Sequence, residues 1–223
     1  MSGRIGIVAA FPGELKPLVR GWEKRGPVFH GRIGNADAVA VAGGMGSKAA
    51  AQACELLLDA GPVDAFVSIG WSGSLSCGLK PPQAVAVKEV IDAADGESFT
   101  TVNGEGQRLI TLDRVADVQE KRRLAQQYQA VLVDMEAAAV ARIARSKNLA
   151  FYCFKGVSDG PNDRLPNFNR FIGPDGEFRT ARFSAYALTH PQYWRPLGTL
   201  AQNSRQAAQD LALFVDGFFA ASR

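Results

Sequence analysis

Carboxyl groups standing where apolar runs end are the first features of this chain that can do chemistry. Glu14 follows the run Arg4 to Ala10, within Phe11-Pro12-Gly13-Glu14. Glu136 follows Val131-Leu132-Val133, within Asp134-Met135-Glu136, and Asp159 follows Leu149 to Val157, within Val157-Ser158-Asp159-Gly160. Carboxyl side chains move protons and balance positive charge in enzyme sites. Two further places, Gly43-Gly44-Met45-Gly46 and Gly70-Trp71-Ser72-Gly73-Ser74, bring flexible backbone and small polar groups to the ends of other apolar runs.

Each place also has a plain structural reading. Glu14 suits the first turn of a helix, where the macrodipole favours an acid. Asp159 suits a turn ahead of Gly160-Pro161, and Met135 alone reads as core filling. Glu136 is harder to explain this way. It falls near a helix start packed inside layers of sheet and helix, where a carboxyl is tolerated only with partners. Gly44-Met45-Gly46-Ser47-Lys48-Ala49 fits the G-x-G-x-x-A dinucleotide fingerprint. The strand after it ends in Ile69-Gly70-Trp71, with no acid to hold a ribose hydroxyl, and the motif follows the third strand instead of the first. A nicotinamide cofactor is therefore not expected, and no other cofactor is assigned.

The elements that must position these groups alternate along the chain. Arg4 to Ala10 reads as a buried strand, and Val28 to Ile33 with Asp37 to Ala42 as a hairpin around Gly34-Asn35. Ser47 to Ala60 is helical, Ala65 to Ile69 is a strand buried on both faces, and Ala84 to Ala94 is another strand. Gln119 to Tyr128 reads as a polar surface helix. Val131 to Val133 is a strand leading into a helix over Met135 to Lys147, and Leu149 to Val157 is the last central strand. A long polar loop follows, and from Thr180 the pattern is helical with interruptions at Pro191 and Pro196. There is no repeat and no linker. The expectation is one domain over residues 1–223, a three-layer α/β/α fold with a mostly parallel, twisted sheet and its site at the carboxyl ends of strands.

Composition narrows the classes. The net charge of +3 is too small, and the arginines too scattered, for a nucleic-acid surface. Three separated cysteines and two histidines offer neither a disulfide framework nor a histidine metal site, so no metal is assigned. The opening MSGRIGIVAA lacks the apolar run of a signal peptide, and the expected location is the cytoplasm.

Taken in order, these places resemble the nucleoside phosphorylase/nucleosidase superfamily, and within it the 5′-methylthioadenosine/S-adenosylhomocysteine nucleosidases. The resemblance covers Arg4 to about Asp163. It rests on IGIVAAFPGEL, AGGMGSKAAAQACELLL, FVSIGWSGSLSCGLKPPQAVAVKEVIDAAD and VLVDMEAAAVARIARSKNLAFYCFKGVSDG. The last is the most specific, because the family reads V-E-M-E-A-x-A with S-D about twenty residues later. The resemblance implies a homodimer that hydrolyses the N-glycosidic bond of a purine nucleoside. Glu14 is implied to activate the attacking water and Asp159 to protonate the purine at N7. Met135 is implied to pack under the sugar, and Glu136 to grip the ribose hydroxyls. Gly44, Gly70, Trp71, Ser72 and Ser158 complete the implied substrate site. Cleavage separates a ribosyl cation from an anionic base, so a site must stabilise both ends. Asp is ordinarily ionised at neutral pH, so Asp159 is expected to be raised by burial or to share a proton with the base.

The departures carry information. The family's G-S-A-G-G-L loop puts a Ser where this chain has Trp71, with Ser72 one place later, which implies a reshaped pocket. The phosphorylases' G-D-P-x-R motif and a second phosphate-binding Arg are missing, Val67-Ser68-Ile69 standing at the second position. Hydrolysis is therefore expected over phosphorolysis, the alternatives being a phosphorylase or a non-catalytic nucleoside-binding protein of this fold. The loop Gly173-Pro174-Asp175-Gly176 and the stretch Leu197 to Ala212 resemble a branch associated with hopanoid synthesis, implying an adenine nucleoside with an apolar 5′ substituent such as adenosylhopane. A C-terminal stripe through Leu211, Phe214 and Phe218 either packs on the domain's own sheet or offers a greasy channel or membrane contact.

Overall fold

The computed structural model describes residues 3–173 and 177–221. The strands are β1 (Ile5–Ala9), β2 (Glu23–Arg25), β3 (Val28–Ile33), β4 (Ala36–Ala42), β5 (Ala65–Ser74), β6 (Ala84–Asp92), β7 (Ser98–Thr100), β8 (Gln107–Thr111), β9 (Leu132–Asp134) and β10 (Ala150–Asp159). The helices are α1 (Pro12–Leu15), α2 (Ser47–Asp59), α3 (Val118–Tyr128), α4 (Ala137–Ser146), α5 (Thr180–Leu188) and α6 (Trp194–Ala221).

Side chains alternate between the two faces of the central strands, as the pleat requires. Ile5, Ile7 and Ala9 of β1, Val67 and Ile69 of β5, and Tyr152 and Phe154 of β10 pack on one side with Leu211, Val215 and Phe219 of α6. Val8, Phe66, Phe151 and Cys153 point the other way, into a layer formed by α2 and α4. The Ala-rich faces of α2 and α4 let both helices lie close to the sheet. Gly6 serves the same closeness, since a methyl there would stand 2.9 Å from the Phe66 ring. Cys54 and Cys153 are buried free thiols whose pKa values burial pushes up to about 12, so they act as core residues.

The sheet is mixed, which corrects the mostly parallel expectation. β4, β1, β5 and β10 form a parallel core. However, β10 pairs antiparallel with β6, and β5 pairs antiparallel with β9. With the parallel pairs β6–β8 and β8–β9, those two contacts close β5-β10-β6-β8-β9 into a ring. A sheet that curls back on itself this way reverses strand direction twice, which a simple series of right-handed crossovers does not do. β3 and β4 form the expected hairpin, joined by two residues with Gly34 at φ 51°. Pro196 does not interrupt a helix. It sits in the first turn of α6, where an N–H has no partner within the helix. The loop residues 174–176 lie outside the described residues.

The C-terminal stripe packs on the sheet. Leu211, Val215 and Phe219 are buried, and Phe154 meets the rings of Phe214, Phe218 and Phe219 at 5.9, 5.0 and 6.2 Å. Among the described residues no helix is long and apolar enough to cross a membrane. The hairpin and α6 lock together at Gly34, whose N–H donates to Asp216 Oδ1 at 2.8 Å. A methyl group at Gly34 would lie 2.5 Å from the backbone of Phe219 and Ala220. Gly34→Ala is therefore expected to cost about 2 kcal/mol or more from left-handed strain and lost docking. That is a fall of about 5 °C in Tm by calorimetry; an unchanged Tm would show that α6 docks independently of the hairpin.

Candidate active site

Glu14 is set by local chain geometry. Pro12 starts the one-turn helix α1 immediately after β1, and Glu14 is its third residue. Its side chain turns back so that Ala10 and Phe11 N–H donate to Oε2 at 2.8 and 2.7 Å. Trp71 N–H, from β5, donates to Oε1 at 2.7 Å. Burial raises the Glu14 pKa, opposed by these backbone bonds and by the charge of Lys155. Gly70 makes the third bond attainable: it has φ 148°, and a methyl there would stand 2.8 Å from Glu14 Oε1.

β5 does not stop at Gly70 but continues to Ser74, carrying Trp71 and Ser72 into the site. The Trp71 ring lies 5.8 Å from that of Phe11, and its Nε1–H donates to Ser204 O on α6 at 2.8 Å. Ser72 Oγ is the single buried side-chain polar atom without a hydrogen-bond partner among the described residues. Such an atom is ordinarily satisfied by a water or a ligand.

At the start of α4, half-buried Glu136 accepts Gly46 N–H on Oε1 at 2.7 Å and Met135 N–H on Oε2 at 3.3 Å. The glycine-rich loop thus holds a carboxyl group. The Glu136 pKa is pushed up to about 8 by burial and by the Asp134 carboxylate, against the Lys155 charge and the Gly46 bond. A carboxyl so poised can donate to or accept from a hydroxyl, and positive charge developing beside it favours its ionised form.

Beneath lies Lys155, 1% exposed, whose Nζ is 2.9 Å from Asp134 Oδ2 and 3.1 Å from Ser68 Oγ. Burial alone would lower its pKa, yet the Asp134 and Glu136 carboxyls hold it above the usual lysine range. Asp134 also accepts Thr111 Oγ1–H at 2.7 Å and Ala137 N–H at 2.9 Å. At the end of β10, Asp159 Oδ1 accepts Ser158 Oγ–H at 2.6 Å, and its Oδ2 accepts from buried Lys121 Nζ of α3.

Glu14, Trp71, Ser72, Met135, Glu136, Ser158 and Asp159 all line one cavity of about 1220 Å³. Gly44 and Gly70 do not line it. Gly44 belongs to the loop that delivers Gly46 to Glu136, and Gly70 makes room for Glu14. Lys155, Asp134 and Lys121 went unrecognised in the sequence. A lysine inside an apolar strand was the available signal for Lys155, while Lys121 is indistinguishable from its exposed neighbours Arg122 and Arg123. Leu165, Phe168, Phe178, Phe183, Leu197 and Leu200 form apolar wall, and Lys16, Arg20, Arg114 and Arg205 add cationic side chains to the same lining. The apolar wall draws on the first half of α6, not on the C-terminal stripe. No cluster of three or more metal-ligating side chains occurs among the described residues.

The raised pKa of Glu136 has a consequence for stability. The native chain retains a proton that the unfolded chain releases above about pH 4.5. Its stabilising effect is complete below that value and is lost as pH rises through about 8. Glu136→Gln, which keeps an acceptor for Gly46, is expected to match the wild-type Tm at pH 5 and to exceed it at pH 9. Calorimetry at the two pH values checks this, and a difference that grows toward acid would mean the native carboxyl is ionised.

Known proteins share this fold. The sequence model of the Phosphorylase superfamily matches residues 4–119 and 105–184. A 5′-methylthioadenosine/S-adenosylhomocysteine nucleosidase of Buchnera aphidicola subsp. Baizongia pistaciae is 27% identical over 210 residues, covering 76% of this chain and 83% of the relative. The 5′-methylthioadenosine/S-adenosylhomocysteine nucleosidase from S. pneumoniae with a transition-state inhibitor superposes with a TM-score of 0.74 at 20% identity, over 99% of this chain and 100% of that one. The futalosine hydrolase of Helicobacter pylori strain 26695 superposes with a TM-score of 0.71 at 16% identity, over 96% of each chain. The solved structures share the fold, the family match spans most of the sequence, and the chain belongs to the Phosphorylase superfamily.

Proposed function

We propose that this protein is a purine nucleosidase that hydrolyses the N-glycosidic bond of an adenine nucleoside carrying a large apolar 5′ substituent, with adenosylhopane as the candidate substrate. The observation that carries this reading is the meeting of Glu14, Glu136 and Asp159, from the ends of three strands, in one cavity that Asp134 also lines. The relatives named above as nucleosidases support the reaction class.

In this reading ribose lies over Met135 with its hydroxyls on Glu136, and the base lies beside Ser158 and Asp159. The C1′–N9 bond breaks with its electron pair staying on the purine. Glu136 offsets the positive charge left on the ribose. Glu14, held by three backbone donors, takes a proton from water as the water oxygen bonds to C1′. Asp159 carries a proton to N7, so neutral adenine and free sugar leave. Water supports the reaction better than phosphate does. The buried cation near the position where the phosphorylases place an arginine is Lys155, and it is already bound to Asp134 and Ser68.

The size of the 5′ group follows from the cavity. Its volume of about 1220 Å³ exceeds the roughly 300–1,000 Å³ of ordinary ligand clefts. Aromatic and aliphatic side chains make up much of its wall, beside Lys16, Arg20, Arg114 and Arg205, and Trp71 stands where the nucleosidase motif has a small polar residue.

Three outcomes are expected. Adenine release, followed by chromatography, proceeds equally with and without phosphate; strict phosphate dependence would make the protein a phosphorylase. Glu14→Gln and Asp159→Asn each lower kcat by about 10²- to 10⁴-fold, while Glu14→Gln still binds adenine. A long-chain 5′-alkylthioadenosine or adenosylhopane has a kcat/KM at least about 10-fold above that of methylthioadenosine, as burial of several methylenes implies. Methylthioadenosine as the best substrate by a wide margin would overturn the apolar-tail assignment.

A further inference from the structure

Lys121 is a buried cation that the three-carboxyl scheme leaves without a task. It is 3% exposed and lines the cavity. Its Nζ donates to Asp159 Oδ2 and, at 2.7 Å, to Gly160 O. Its place in the chain is costly. It stands in the opening turns of α3, where the macrodipole disfavours a cation, and burying an ammonium requires a partner. Gly73 keeps the partner within reach: a methyl there would lie 3.1 Å from Lys121 Cε and 3.2 Å from Asp159 Oδ2.

The donors around Asp159 set a problem for proton transfer. One oxygen accepts from the Ser158 hydroxyl and the other from the Lys121 ammonium. With both oxygens taken by donors, a proton passing from Asp159 to a departing base has to be replaced from one of those donors. The ammonium does hold one.

We infer that Lys121 is the proton reservoir for purine departure, acting through Asp159 as a positioning residue and resting on the purine-release reading. As the C1′–N9 electron pair settles on the purine, Asp159 delivers one proton to N7 and receives one from Lys121 Nζ. The purine leaves neutral, Asp159 returns to its carboxylate, and Lys121 is left as an amine. Solvent reprotonates Lys121, while the proton taken from water by Glu14 passes to solvent, so the cycle balances. The charged groups facing Lys121 are Asp159 from β10, Asp163 through its bond to Gly160 N–H, and Arg114 on the cavity wall. Glu14, Asp134 and Glu136 line the same cavity. Arg114 is itself paired with Asp113 and Glu120.

The test is the pH profile of kcat for adenine release by the wild type, Lys121→Met and Lys121→Arg, with adenine affinity from calorimetry as the check on the site. The readout is the ratio of variant to wild-type kcat at each pH, in which the titration of Glu136 near pH 8 is common to all three proteins. Lys121→Met should lose about 10²-fold or more at pH 8 and depend on solvent protons, its ratio to wild type falling about tenfold per pH unit. Lys121→Arg keeps the ion pair and the fold but does not release its proton at these pH values, so its ratio should fall with pH in the same way while it binds adenine within a few-fold of wild type. It carries the test alone if Lys121→Met leaves Asp159 bare and does not fold. A uniform drop with an unchanged profile, a loss under tenfold, or full rescue by arginine would each overturn the inference with the nucleosidase reading intact. Absence of adenine release by the wild type would overturn both.

Discussion

Carboxyl groups gathered at one end of a sheet repel one another, and the buried ammonium of Lys155 is the interaction that allows them to sit together. It bonds Asp134 directly, lowers the cost of charge on Glu14 and Glu136, and reaches Ser68 on the central strand. Three strands are tied at this point, because Lys155 lies on β10, Asp134 on β9 and Ser68 on β5. All three belong to the closed ring. Removing one member of a buried pair typically costs about 3–5 kcal/mol, because the other charge is left uncompensated. The ring and the site therefore share a keystone.

The backbone completes what Lys155 begins. Glu14 is held by three N–H groups and Glu136 by two, so both carboxyls are oriented before any substrate arrives. Orientation set by the chain itself does not have to be reorganised during reaction. Gly46 and Gly70 are required for different reasons. Gly46 directs its N–H at a carboxyl, and Gly70 is the absence of a side chain where Glu14 must fit.

Much of this was legible in the sequence, and the gaps have physical causes. The central strands announce themselves as apolar runs because both faces are buried, as at Ile5–Ala9 and Ala150–Asp159. Glu23–Arg25, Ser98–Thr100 and Gln107–Thr111 are not legible, since three to five residues carry one or two apolar side chains at most and form strands only through their neighbours. Strand direction was misread because an apolar run carries no record of its partner. Glu14, Met135, Glu136 and Asp159, which line the cavity, are legible as candidates because they sit at strand ends within ordered motifs. Lys121 is not: its inward direction depends on helix rotation against β10, which a polar helix does not encode. The apolar stripe at Leu211 to Phe219 was visible, yet the half of α6 that lines the cavity has a weaker pattern.

Trp71 is fastened at both ends, its amide to Glu14 and its indole to Ser204 of α6. One residue thus belongs to the cavity wall and to the cradle of the Glu14 carboxyl. The two cannot be adjusted separately. Any occupant of the outer cavity that prefers one setting of Trp71 biases the Glu14 cradle by the same free energy, and the cradle's state feeds back on the occupant equally. The indole makes occupancy of the outer cavity and the setting of Glu14 two readings of a single thermodynamic variable.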